Sequence, residues 1–533
     1  MAVIKTQSFR TLRKMLMPRT FFLMIALLGQ MIILAAVISR FNEYFTVFYA
    51  FSIFLSLMVF LWVMNSQINP AYKIAWIIPI LLFPIFGGLF YLFLGRSRLS
   101  PRIAQQMKAY EMNTMKALIN QRSKTEEYLL ELEESNYDSA IQARYINHYG
   151  GYPLYPDFYS QYLGTGEKKF ERLLEELEKA KHYIFMEYFI IEEGLMWNRI
   201  LEILKKKVEQ GVDVRLIYDD VGCIFTLPYG YDKRLEAMGI KCCIFNPLIP
   251  ILSLRQNNRD HRKITVIDGL VAFTGGINLA DEYINEIEKF GHWKDTAILI
   301  KGEAVWSFTV MFLSMWGYLR GVKEKFNDFY LASVFQEENI LLSSTGRPFT
   351  SKGYVQPFAD SPLDNEPVSE TVYLNLIYRA KKYVYITTPY LILASEMVTA
   401  LCAAAKGGVD VRIITPHKWD KRMVHAVTRT FYKTLIESGV KIYEYTPGFM
   451  HSKTFVVDDR YGVVGTINMD YRSLYLHFEC GVWMTNTNGI HELKDDFMET
   501  LKVCQRVTME DYREIKWYKA LAGSILRIFA PML

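Results

Sequence analysis

The sequence predicts an α/β protein of two pseudo-symmetric lobes, mixed sheets flanked by helices, behind an N-terminal membrane anchor of two or three helices. Three observations predict it. The string His-x-Lys-x4-Asp-x6-Gly-x2-Asn occurs as His261, Lys263, Asp268, Gly275 and Asn278, and returns as His451, Lys453, Asp458, Gly465 and Asn468. A wider repeat surrounds it: Ala180-Lys181-His182-Tyr183-Ile184-Phe185 matches Ala380-Lys381-Lys382-Tyr383-Val384-Tyr385, and Gly211-Val212-Asp213-Val214-Arg215 matches Gly408-Val409-Asp410-Val411-Arg412. Three apolar runs open the chain.

Those runs, Phe21–Ser39, Tyr44–Met64 and Ile74–Leu94, each hold about 20 residues, enough to cross about 30 Å of hydrocarbon as a helix. Residues 1–102 carry basic side chains against the single acid Glu43, a local charge of +9 in a chain of +5. Basic residues flanking apolar runs mark a membrane anchor. The remainder is mildly acidic, which argues against a nucleic-acid partner. Nothing resembles a short apolar core ending in a cleavage site, so no cleaved signal peptide is expected. Pro79, Pro84 and Gly87-Gly88 interrupt the third run, which predicts a kinked span or a re-entrant hairpin. Two spans plus a shallow segment would keep both basic clusters inside; with two or three spans alike, the soluble part is expected on the cytoplasmic side. The 6 cysteines show no CxxC spacing and read as buried free thiols.

After the anchor (1–102, apolar segments 21–39, 44–64 and 74–94), residues 103–160 read as a charged helical connector, 161–345 as the first lobe, 346–515 as the second and 516–533 as an interfacial helix, apolar with sparse basic residues. A Ser/Gly/Pro/Asp-bearing linker covers roughly 341–367. Within the first lobe, Phe170–Lys181 has a helical pattern, Tyr183–Phe189 a strand pattern, Ile200–Glu209 a helical one and Val212–Tyr218 a strand one, so a mostly parallel sheet is expected. The first lobe has a longer stretch before its His; its extra residues, Leu248-Ile249-Pro250-Ile251-Leu252, read equally as a lipid-facing or a packed loop.

The chemistry follows from the residue types. Read as a strand, His451-Ser452-Lys453-Thr454-Phe455-Val456-Val457-Asp458 projects His451 and Lys453 from one face. A neutral imidazole is a nucleophile and proton carrier near neutral pH. An ammonium and an amide can hold phosphate oxygens and stabilise developing charge. Two facing copies give two imidazoles for one phosphorus, one to attack and one to protonate the leaving alcohol. Lysines supply the positive charge, so no metal and no cofactor is expected. Chance predicts about 0.03 His-x-Lys-x4-Asp strings in such a chain, so two inside a repeat mark a built site.

These strings resemble the duplicated motif of the phospholipase D superfamily. Asn69-Pro70-Ala71-Tyr72-Lys73-Ile74-Ala75-Trp76, Arg259-Asp260-His261-Arg262-Lys263, Thr274-Gly275-Gly276-Ile277-Asn278, and Gly465 through Ser473 with Phe478-Glu479 are similar to bacterial cardiolipin synthases of the Gram-positive type, over about residues 44–533. The resemblance implies two phospholipase D-like lobes, a bacterial cell membrane location, and transfer of a phosphatidyl group between two phosphatidylglycerols through a phosphohistidine, giving cardiolipin and glycerol. It implies His261 as nucleophile and His451 as general acid and base, with Lys263, Lys453, Asn278 and Asn468 gripping phosphate. An acid downstream of each motif should orient its imidazole: Glu479 in the second half, Asp295 in the first. Asp268 and Asp458 read as structural anchors within the catalytic string, and Arg472 and Ser473 as site-lining or surface residues. The other histidines (His148, His182, His292, His417, His425, His477, His491) lack the motif context and are expected to be structural. A hydrolase, a phospholipase D or a tethered nuclease, using the same site is the rival reading, and a non-catalytic lipid-binding scaffold the second.

Overall fold

The computed structural model describes residues 45–66, 69–83, 87–92, 112–156, 158–248, 254–330, 353–364, 366–513 and 517–532, with isolated positions before 45 and at 109. Apart from isolated positions the first apolar run lies outside the described residues, as do 341–352 of the expected linker and most of the Leu248–Leu252 stretch; the rest of the expected linker is corrected, since Tyr354–Asp360 is a strand. The chain divides into two compact units, one within 1–99 with 246–258 and Met532, the other within 100–245 and 259–531.

In the first unit a helix over Phe45–Asn65 carries no charged residue. A second, Pro70–Leu82, starts at Asn69, whose side chain accepts from the Ala71 N–H, and carries Pro79 inside it. It stops before Pro84, and a short turn of helix follows at Gly87–Phe90. A Cβ at Gly87 would lie 2.5 Å from the Ile80 Cα, so the chain after Pro84 folds back along the helix it has left. At about 20 Å, the Pro70–Leu82 helix is shorter than a bilayer core. Among the described residues no helix is long and apolar enough to cross a membrane; part of the Phe45–Asn65 helix has side chains outside that description.

The second unit holds two mixed sheets. The strands of its first half are β1 (Tyr159–Leu163), β2 (Tyr183–Tyr188), β3 (Asp213–Asp219), β4 (Lys241–Phe245), β5 (Arg259–Asp260), β6 (Ile264–Ile267), β7 (Val271–Gly275), β8 (His292–Lys294) and β9 (Ala297–Lys301). The second half has β10 (Tyr354–Asp360), β11 (Tyr383–Thr387), β12 (Asp410–Pro416), β13 (Lys441–Tyr445), β14 (Gly448–Met450), β15 (Thr454–Val457), β16 (Tyr461–Gly465), β17 (His477–Thr485) and β18 (Cys504–Val507). The first sheet runs β1-β9-β7-β6-β2-β3-β4 and the second β10-β17-β16-β15-β11-β12-β13-β18.

Along the two sheets β2-β3-β4 and β11-β12-β13 are parallel and the other neighbours antiparallel, with the short pairs β5–β17 and β14–β8 also parallel; the expected mostly parallel sheet is corrected to a mixed one. Each motif continues into an antiparallel hairpin, β6–β7 or β15–β16, and a two-stranded turn cannot link parallel neighbours. Asp268 and Gly269 make the first turn with φ of 53° and 66°, the left-handed region that Asp tolerates and Gly prefers.

The helix Val305–Arg320 is buried at every residue from Val305 to Trp316. It touches β2, β6 and β7 of the first sheet and β10 of the second, so an apolar residue is needed on every face. The C-terminal helix Trp517–Ile528 packs on the helix Arg422–Glu437. Gly523 allows the approach, since a Cβ there would come within 2.9 Å of Thr430, and the Arg527 guanidinium sits 4.2 Å from the Phe431 ring.

Two short strands leave their own half. β5 pairs with β17 of the second sheet, and β14 pairs with β8 of the first half. These two exchanges position the site.

Candidate active site

Each exchanged strand ends one residue before a motif histidine. β5 stops at Asp260, and the His261 N–H then donates to the Phe478 carbonyl at 3.0 Å. β14 stops at Met450, and the His451 N–H donates to the Lys294 carbonyl at 2.7 Å. The His-x-Lys triplets therefore lie in the links between strands, not within a strand, because the backbone there changes partners from the opposite half to its own sheet.

The same exchange decides which acid meets which imidazole. His261 Nδ1 lies 2.8 Å from Glu479 Oε1 and 3.1 Å from Oε2. His451 Nδ1 lies 2.6 Å from Asp295 Oδ2. The expectation that each acid orients the histidine of its own half is corrected: each carboxylate crosses to the other half's imidazole. β17 brings Glu479 beside β5, and β8 brings Asp295 beside β14. Thr466 donates to Glu479 Oε2 and the Thr296 N–H to Asp295 Oδ1. Both carboxyl groups are fully buried, and both face the imidazoles from behind rather than lining the cavity as substrate contacts.

Both imidazoles open into one cavity of about 510 Å³ lined from the two halves, including Asn278, Tyr283 and Trp293 from the first and Asn468, Arg472 and His477 from the second. Asn278 is engaged at both ends: Oδ1 accepts from the Ile190 N–H at 3.0 Å and Nδ2 donates to the Tyr283 hydroxyl at 2.7 Å. Asn468 Oδ1 is buried without a hydrogen-bond partner among the described residues. Lys263 and Lys453 do not line the cavity. They are buried beneath it, each donating from Nζ to the carbonyl of its own motif histidine.

Asp268 and Asp458 take no part in the cavity. Asp268 accepts from the N–H groups of Lys181, His182 and Tyr183, each at 2.7 Å, and Asp458 from those of Lys381, Lys382 and Tyr383. They tie the motif hairpin to the start of β2 and of β11. Ser473 is buried, its N–H donating to Asp470 Oδ1.

Burial dominates the electrostatics. It pushes both motif imidazoles well below the usual histidine range, and Lys263 and Lys453 push further in the same direction. Burial also lowers Lys263 to about 8 and Lys453 to about 7, and raises Asp295 to about 6 against the opposing pull of Lys453. Lys169, unnoticed in the sequence, is a third buried ammonium, lowered by burial to about 7 and donating to the Tyr188 hydroxyl and the Ile277 carbonyl. Its only sequence signal is a cation one position from the apolar Phe170, Leu173, Leu177 stripe. His477, expected to be structural, lines the cavity instead, on the face of β17 that carries Glu479.

Among the described residues, His261, His477 and Glu479 bring ligand-type atoms within 4.8 Å of one another. A metal bound there would have to take Glu479 from His261 and Thr466.

Comparison with known proteins agrees with the geometry. The family described as "Cardiolipin synthase, PLD-like domain" matches residues 173–316 and 373–501, and a "Phospholipase_D-nuclease N-terminal" family matches 53–96. An uncharacterized protein of Streptococcus mutans is 45% identical over 475 residues, 89% of this chain and 99% of the relative. A cardiolipin synthase of Geobacillus kaustophilus is 34% identical over 466 residues, 87% of this chain and 89% of the relative. The crystal structure of phosphatidylserine synthase from Haemophilus influenzae superposes with a TM-score of 0.52 at 16% identity, covering 73% of this chain and 97% of that one, which shows a shared fold. With the repeated motif meeting in one cavity, these matches establish that the chain belongs to the cardiolipin synthase family of the phospholipase D superfamily.

Proposed function

We propose that the protein moves the phosphatidyl group of one phosphatidylglycerol onto a head-group hydroxyl of a second, giving cardiolipin and glycerol. The observation that carries this is the pair of imidazoles in one cavity, each with Nδ1 tied to a carboxyl from the opposite half. With Nδ1 committed, Nε2 is the atom left for chemistry.

The two pairs differ in a way that supports one assignment of roles. Asp295, raised to about 6, lets the Asp295–His451 pair hold a proton in mildly acidic solution and in a minor fraction of molecules at neutrality. With that proton between carboxyl and Nδ1, His451 keeps an Nε2–H to donate. Glu479 accepts from both Thr466 and the His261 Nδ1–H, which leaves a lone pair on His261 Nε2. His261 Nε2 attacks phosphorus, the bond to the glycerol oxygen breaks, and His451 protonates that oxygen. The hydroxyl of the second lipid then gives its proton to His451 and attacks phosphorus, and the P–N bond to His261 breaks. Lys263 and Lys453 stabilise the equatorial charge from beneath, and Asn278 and Asn468 shape the wall around it.

The proposal includes attachment to the bilayer. The uncharged Phe45–Asn65 helix supports an apolar anchor, and the basic residues that flank the apolar runs support a multi-pass arrangement with the catalytic unit on the cytoplasmic side. Trp517, Leu521, Ile525 and Ile528 project from one face of the C-terminal helix and are exposed, opposite the Gly523 and Arg527 face that packs inward. That supports an interfacial position. The same cavity would act as a phospholipase D if water replaced the second lipid. Supplying phosphatidylglycerol and separating products decides: cardiolipin with free glycerol is expected, and phosphatidic acid as the main product would overturn the transferase reading.

A further inference from the structure

The His477 ring opens β17 two residues before Glu479, on the same face, and lines the catalytic cavity. Its centroid is 5.5 Å from that of His261. Both of its ring nitrogens are buried, and neither has a hydrogen-bond partner among the described residues. Its Nδ1 lies 3.7 Å from Glu479 Oε1, too far for a hydrogen bond. Buried polar atoms are satisfied in most folded proteins, and an exception inside a cavity points to a ligand.

We infer that His477 is a third imidazole of the site and binds a head-group hydroxyl of the phosphatidylglycerol, an inference that rests on the transfer reaction proposed above. Burial holds the ring near a pKa of about 4, so it is neutral at working pH, with one N–H donor and one bare acceptor nitrogen. A phosphate offers acceptors alone and would leave that nitrogen unmet. A hydroxyl offers both functions. A shift of under about 1 Å would bring Nδ1–H onto Glu479, fixing the tautomer with Nε2 as acceptor toward the cavity. Phosphatidylglycerol presents hydroxyls as donor and as acceptor lipid, so a single subsite of this kind serves both halves of the reaction.

The test uses the full chain in detergent micelles with two donors: phosphatidylglycerol, and a phosphatidyl ester of p-nitrophenol, whose leaving group has no hydroxyl beside the ester. His477→Phe should slow turnover of phosphatidylglycerol about tenfold, the scale of one lost hydrogen bond, and change the rate of the nitrophenol burst, which involves no acceptor hydroxyl, less than about twofold. His477→Gln, which restores an amide donor and acceptor, should recover most of the loss. A second measurement needs no variant: glycerol should intercept the phosphoenzyme about tenfold better than 1-propanol in the unaltered protein. Equal losses with both donors would reduce His477 to a support for Glu479 and His261 and overturn the inference. No loss with either donor, or no preference for glycerol, would also overturn it. Wild-type protein that turns over phosphatidylglycerol only to phosphatidic acid would sink the transferase reading alone, since the two-donor ratio still reports hydroxyl recognition.

Discussion

The two half-sites share a backbone plan and differ in what surrounds each imidazole. Behind His261, the buried Arg262 pairs with Glu187 at 2.5 Å and with Asp260 at 3.2 Å. At the matching place behind His451, Ser452 donates to Thr387 Oγ1 at 2.9 Å. Beside His261 stand Phe189 and the imidazole of His477; around His451 stand Tyr283, Trp293 and Phe449 at 5.4–5.8 Å between ring centroids. Even the acids differ by a methylene. The shorter Asp295 reaches its histidine because Gly276 is bare where a Cβ would come within 2.1 Å of Oδ1, whereas Glu479 stands beside Thr466 and takes its hydroxyl. The repeat thus preserves where the histidines point and frees the shells behind them to specialise, one half toward a nucleophile and the other toward a proton donor.

Removing either imidazole is the harshest test of that division. His261→Ala and His451→Ala should each lower cardiolipin formation about 10⁴-fold. They should part with phosphatidyl-p-nitrophenol, whose leaving group needs no proton. His451→Ala should still release a burst of nitrophenol and accumulate phosphohistidine, and His261→Ala should do neither. The opposite pattern would exchange the two roles.

The acids sharpen the comparison next. Asp295→Asn and Glu479→Gln should each cost about 10²–10⁴ in kcat, the range seen when an orienting carboxylate is lost. Their pH profiles should differ. Lowered histidine pKa values keep His261 unprotonated until well below 6.5, so kcat/KM should hold through mildly acidic pH. It should fall as pH rises past about 6 to 8, where the Asp295–His451 pair loses its proton and Lys453 and Lys263 lose their charge. A bound phosphate favours the charged lysines, so the same limb in kcat should lie at higher pH. Asp295→Asn should remove the first step of that alkaline limb and Glu479→Gln should retain it.

How much of this the sequence carried depends on whether a feature is local. The motif spacing, the turn at Asp268-Gly269 and the helix end before Pro84 are local, and each is legible because backbone geometry dictates a residue type. The exchange of β5 and β14 is not. Both are two- or three-residue strands whose partners lie some 150 to 220 residues away, and nothing in their own composition names those partners. The unequal spacing from histidine to acid, 28 residues from His451 to Glu479 but 34 from His261 to Asp295, was the trace it left. His477 reads as structural and Lys169 carries no signal for a related reason: a lone polar residue beside an apolar pattern is ordinarily solvated, and only tertiary packing shows that these two are enclosed.

Stability measurements extend the comparison away from the reacting atoms. Arg262→Ala should destabilise the protein by about 3–5 kcal/mol, because Glu187, whose carboxyl burial already pushes well above the usual range, is left buried without its cation, whereas replacing both members by Met should cost far less. Ser452→Ala should cost about 1 kcal/mol, one neutral hydrogen bond. Chemical denaturation read by tryptophan fluorescence would separate the two; equal losses would mean that the ion pair behind His261 adds nothing beyond packing.

The anchoring aspartates give the smallest difference between halves. Each accepts three backbone N–H groups at the start of a central strand and holds a positive φ, 53° at Asp268 and 55° at Asp458. Asn tolerates that backbone conformation, so Asp→Asn keeps the turn and weakens only the charge-assisted bonds. Asp268 is buried and Asp458 half-buried, so water can replace part of what Asp458 supplies. Asp268→Asn should therefore cost about 2 kcal/mol and Asp458→Asn about 1 kcal/mol, with the rate per folded molecule unchanged in both. A drop in that rate for either variant would mean that the anchor sets the reach of the lysine five residues before it, and that the hairpin carries strain from the turn to the cavity.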